Sequence, residues 1–200
     1  MKALFSRYRA KASLAAAFMA TMTTAAVAMP ATPSKDPANK RSQAAYMRAS
    51  EPVLAPMGWV MFCMQNGDQC RGSSEETIAL TPERLATLRS VNLAVNRSIR
   101  PSNVDPVTHR WSVAPTSGNC NDFAVTKRAQ LARLGFSTGA LRMAIARTSW
   151  GEGHAVLVVR TDKGDLVLDS LRNVILPWNA TGLRWISVQS ATNPGVWYRT

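Results

Sequence analysis

The chain has 200 residues, 24 Lys and Arg against 12 Asp and Glu, a formal net charge of +12 and three cysteines. The basic residues are scattered, with no basic helix and no recognisable nucleic-acid module, so the charge reads as a solvated basic surface. With only three cysteines and two histidines, a zinc framework built from repeated Cys/His pairs is excluded.

Residues 1–28 carry Lys2, Arg7, Arg9 and Lys11, then an Ala-rich apolar stretch from Leu14, then Ala26-Val27-Ala28. This is the pattern of a secretory signal peptide with a small-residue cleavage site. Read instead as an uncleaved anchor, the apolar stretch is marginal in length and composition for a membrane span. Without the four basic residues of the leader the remainder carries +8. Outside the cytoplasm such a protein meets envelope surfaces and acidic proteins rather than nucleic acid. The expected location is therefore periplasmic or secreted.

Residues 29–56 are rich in Pro, Ala, Ser, Lys and Arg with little periodicity, and read as an extended or disordered arm outside the fold. Residues 57–200 then form one domain, long enough to bury a core. Cys63 and Cys70 bracket a turn-rich segment centred on Asn66-Gly67. In an oxidising compartment they are expected to form a disulfide, which leaves Cys120 as the odd thiol.

Thr81-Pro82-Glu83 marks a helix start, with Thr81 as N-cap and Pro82 as first helical residue. Leu85, Leu88, Val91, Leu93 and Val95 continue it to about Ile99 as a core helix. A loop from Pro101 to Ser117 follows, containing Pro106, His109 and Trp111.

A second helix begins at Gly118-Asn119-Cys120-Asn121-Asp122-Phe123 and ends near Leu134-Gly135. Asn119 is a good N-cap and Gly135 a good residue just past a helix end, so Cys120 falls in the first turn. There the unpaired N–H groups and the positive end of the helix dipole favour thiolate over thiol. Phe123, Ala124, Leu131 and Leu134 form the apolar side, Arg128 and Arg133 are expected outside, and Lys127 is expected to lay its stem along the core with its ammonium in water.

From Ala140 the chain reads as strands at 141–147, 154–161, 165–169, 183–189 and 196–199, joined by short turns that favour antiparallel neighbours. The fold class is α+β, with N-terminal helices packed on a C-terminal antiparallel sheet. His154 opens one strand and Asp169 ends the next, so nucleophile, base and carboxylate occur in the order Cys120, His154, Asp169. The turn between the strands decides whether they meet. With Asp162-Lys163 as the turn, Asp169 lies opposite Val156 and diagonal to His154, within reach. With Lys163-Gly164 it lies opposite Val158, too far; a three-residue loop places the two on opposite faces.

These three blocks, Gly118-Asn119-Cys120-Asn121-Asp122-Phe123, Gly153-His154-Ala155-Val156-Leu157 and Asp165-Leu166-Val167-Leu168-Asp169-Ser170-Leu171, resemble those of the bacterial transglutaminase-like cysteine proteinases. The resemblance implies a papain/transglutaminase-like fold, with Cys120 as nucleophile, His154 as general base and Asp169 orienting it. It also implies that Trp111 lines the cleft or aids the oxyanion site, although an aromatic there is as often packing. Its further implications are a protein substrate such as a large surface adhesin, and an inner-membrane regulatory protein. Transglutaminase-type cross-linking and a catalytically idle peptide-binding module are the alternatives. Many members carry acidic residues on both sides of the nucleophile and are associated with Ca²⁺. Here the neighbours are Asn119 and Asn121, with Asp122 the nearest acid, so no cofactor is expected and these three are weak calcium candidates.

Overall fold

The computed structural model describes residues 45–102 and 110–200. The leader, the arm up to residue 44, and Pro106 and His109 of the loop lie outside the described residues. The chain begins with a short strand β1 (Pro52–Val53), a helix α1 (Met57–Gln65), a 3-10 turn at Gly67–Cys70 and a long helix α2 (Pro82–Ser98). A two-residue parallel pair, β2 (Arg100–Pro101) with β3 (Ser117–Gly118), leads into α3 (Cys120–Arg133). Six strands follow: β4 (Leu141–Arg147), β5 (Gly153–Thr161), β6 (Gly164–Leu168), β7 (Leu176–Pro177), β8 (Arg184–Gln189) and β9 (Trp197–Arg199). The sheet order is β1-β9-β8-β4-β5-β6-β7, antiparallel throughout. The expected α+β architecture is thus the observed one.

Local signals set both expected helices. Thr81 Oγ1 accepts from Arg84 N at 3.2 Å and Pro82 opens α2. Gly135, at φ 83°, follows the end of α3 in the left-handed conformation that glycine adopts without penalty. Helix α1 was not expected. Its run Met57 to Met64 has no side-chain N-cap and no clear stripe, and it is fixed by what it buries. Trp59 and Phe62 enter the core, where Trp59 packs near Trp111 and Trp197 and donates from Nε1 to Pro194 O at 2.8 Å.

Cys63 and Cys70 are bonded, closing α1 onto the following 3-10 turn. For so short a loop the chain-entropy contribution is about 2 kcal/mol.

Four expectations need correction, and the first is Leu134, expected on the apolar side of its helix but 59% exposed at the helix end. Residues 45–53 of the arm belong to the fold: Met47 is buried, its N–H donates to Asp165 Oδ2 at 2.7 Å, and β1 pairs with β9. Asp165, fully buried, binds Arg160 through both oxygens, and Arg160 in turn donates to Met47 O. Composition misses this because the segment is held mainly by backbone bonds to the sheet and by a charged pair, not by its own apolar stripe. Arg128 is not outside. It is 1% exposed, lies over the Trp59 ring at 5.7 Å, and donates to Leu141 O and to Gln69 O. Lys127 is likewise fully buried, and its ammonium does not reach water. The physical reason is shared: α3 is covered by the sheet on one side and by α2 on the other, so nearly its whole circumference is interior.

Candidate active site

Cys120 is the first residue of α3, and the residues around it explain why the helix starts there. Asn119 Oδ1 accepts from Asn121 N at 3.0 Å, while Asp122 Oδ2 accepts from Asn119 N at 2.8 Å. This reciprocal cap fixes the first turn. The other oxygen, Asp122 Oδ1, accepts from Ser112 N at 2.8 Å and ties the incoming loop to the same turn. Gly118 is required beside it, because a Cβ there would run into the Asp122 carboxylate.

The register is the first of those weighed above. Thr161 pairs with Gly164 across the two-residue turn Asp162-Lys163, and Leu157 with Leu168 ends the ladder, which sets Asp169 opposite Val156. His154 Nε2 lies 2.7 Å from Asp169 Oδ1, and both side chains are buried. With Nε2 engaged, Nδ1 is the nitrogen left for Cys120.

The end of β6 also supplies the thiol with a donor. Peptide groups alternate along a strand, and Arg160 N points to Ala140 O on the β4 side, so Ala155 N points to the β6 side. There β6 has already ended, and Ala155 N donates to Cys120 Sγ at 3.4 Å. The structure therefore brings Cys120, His154 and Asp169 to one place.

Electrostatics favours an ionised pair. Burial pushes His154 down, but hydrogen bonds to Asp169 and Cys120 and their negative charge outweigh it and raise its pKa to about 9. Burial pushes Asp169 up, yet His154 holds it below the ordinary carboxylate value, with help from Leu171 N and Lys127.

Cys120 and His154 line two adjoining hollows. One, of about 370 Å³, is walled by Pro56, Met57, Trp111 and Ile145. The other, of about 300 Å³, is walled by Phe123, Trp150, Glu152 and Leu171. The reactive pair thus sits in the middle of a groove, a shape suited to an extended peptide. Trp111 is both things weighed for it: 5% exposed and packed on Trp59, yet with part of its surface in the groove wall.

A family profile described as bacterial transglutaminase-like cysteine proteinase, BTLCP, matches residues 49–200. The chain belongs to this family. It is a cysteine peptidase, and its substrates are proteins. No curated protein sequence matches it significantly. Solved structures similar to it include Legionella pneumophila LapG, 27% identical over 60% of this chain and 69% of that one, with a TM-score of 0.48. Its calcium-bound form is 25% identical over 61% and 74%, at 0.49. The EGTA-treated form is 27% identical over 61% and 70%, at 0.48. Among the described residues of the peptidase no helix is long and apolar enough to cross a membrane.

Reading the sequence alone missed the Ala155 N–H donor and the walls contributed by Pro56, Met57 and Trp150. The first is a consequence of where β6 stops and leaves no residue-type signal. The apolar run after Pro56 was visible, but nothing in it pointed to the groove.

Proposed function

We propose that this peptidase hydrolyses peptide bonds of a surface or periplasmic protein through a Cys120-His154-Asp169 triad. The observation that carries the reading is the meeting of a helix-start thiol, a buried His–carboxylate pair at 2.7 Å and a groove on both sides of them. Cys120 Sγ attacks the scissile carbonyl carbon, and its proton resides on His154. The C–N bond then breaks, and His154 delivers that proton to the leaving amine. Water, losing a proton to His154, opens the thioester and returns the thiol and a free carboxylate. The backbone N–H of Cys120, at the positive end of α3, is the oxyanion donor, with Trp111 beside it in the groove wall. A lysine amine in place of water would give cross-linking from the same thioester. Comparing the surface and secreted proteins of cells carrying the peptidase or Cys120→Ala tests hydrolysis, and incorporation of a labelled amine tests the alternative. A shortened adhesin-type protein present only with intact Cys120 is the expected result.

The reading includes export with cleavage after Ala28, supported by the leader pattern and by the disulfide, which belongs to oxidising compartments. The mature protein should begin at Met29 with one disulfide and one alkylatable thiol. Mass measurement before and after alkylation decides this, and a retained leader or three free thiols would contradict it.

The residues at the nucleophile do not fit a calcium site. Both oxygens of Asp122 accept backbone N–H groups, Asn119 Oδ1 caps the helix, and the remaining donor, Asn121, brings no charge. Activity should therefore be unchanged in EGTA and in added Ca²⁺. A large loss in EGTA that only Ca²⁺ restores would show this wrong.

A further inference from the structure

Lys127 stands seven residues after Cys120 in α3, two turns or about 10 Å along the axis and on the same side of the helix. Helical side chains lean toward the N-terminus, so its ammonium is carried back toward the reactive end. It is fully buried, and Nζ has no hydrogen-bond partner among the described residues. An ammonium in that setting is costly unless a nearby carboxylate compensates it. The carboxylate it feels is Asp169, itself buried.

Among the described residues Asp169 is the one carboxylate that bears on Lys127. Helix α2 presents Asn92 and Asn96, both neutral, whose amide nitrogens donate to carbonyls of residues 169–173. Strand β5 presents His154, α3 presents Cys120, and the turn after β6 presents Asp169. In the attacking form that the triad reading requires, a thiolate, an imidazolium and a carboxylate carry one excess negative charge, which the Lys127 ammonium offsets. Burial pushes Lys127 down to about 7 and Asp169 works against that fall, so the ammonium is charged in acid solution and gives up its proton around neutrality.

We propose that Lys127 is a positioning residue whose buried ammonium is the counter-charge of Asp169, keeping that carboxylate ionised and aimed at His154. The role rests on the triad reading and adds a fourth member to it. In Lys127→Met, the Asp169 and Cys120 anions lose an attracting charge. The acid limb of Cys120 alkylation by iodoacetamide, measured from pH 4 to 10 on the protein with its disulfide intact, should move up by about one unit. Melting of Lys127→Met, Asp169→Asn and the double variant forms the second arm. The double variant should lose less than the sum of the two single losses, because it leaves no lone buried charge. If Lys127→Met alone fails to fold, recovered folding of the double variant carries the same result. Additive losses would overturn the pairing, and coupled losses with an unshifted acid limb would overturn the positioning role. Failure of the triad itself reads differently: alkylation would then be indifferent to His154→Ala, while the melting cycle would still report the Lys127–Asp169 pair.

Discussion

Cys120→Ala should reduce peptide-bond hydrolysis on the order of 10⁴-fold or more while leaving the melting temperature close to that of the parent. Among the described residues the thiol is the one free cysteine sulfur, and it is half-buried at a helix start in the groove, so its loss opens no large cavity. His154→Ala should cost a comparable factor, and the double variant little more than either single one, because the two act in one bond-making step. Asp169→Asn should be milder: the amide still orients the imidazole but no longer supports its charge. Initial rates on a protein substrate found by the cleavage comparison, alongside melting curves, measure all four. A folded Cys120→Ala protein with full activity would end the assignment.

The second large effect is on pH. The alkaline limb of kcat/KM should lie near pH 9 rather than near the ordinary histidine value of about 6.5, because Asp169 and Cys120 hold the imidazolium against the cost of burial. In Asp169→Asn the limb should move down toward neutrality. A limb near 6.5 in the unaltered enzyme would contradict the ionised pair.

The same shifts bear on stability. His154 has a folded pKa above its unfolded value, so its contribution is fully present below about 6.5 and is lost as pH rises through about 9. Asp169 is held low, so its contribution is present above the ordinary carboxylate range and is lost as pH falls through its folded value. Lys127 works in the opposite sense: its folded pKa is depressed to about 7, and its burden is relieved from there upward. The unaltered protein should therefore show only a shallow slope between pH 7 and 9. His154→Ala, which removes the falling component, should turn that slope upward.

What the sequence by itself determined is what short-range backbone chemistry can specify. Asn119 caps α3, Thr81-Pro82 starts α2, and Gly135 ends α3 in a conformation that glycine takes freely. These place Cys120 at a helix start, and counting cysteines pairs Cys63 with Cys70. Tertiary structure decided which of the competing registers brings His154 to Asp169. Thr161 pairs with Gly164 across the turn, and Gly164, at φ 110°, lies against the backbone of Ala45, where a Cβ would meet Ala45 O at 2.8 Å. That contact joins residues far apart in the chain and has no local signature. Burial of Lys127 and Arg128 was settled the same way. An apolar stripe read from sequence gives one covered face of a helix, but α3 is covered on both sides, and only packing tells how much of a helix is interior.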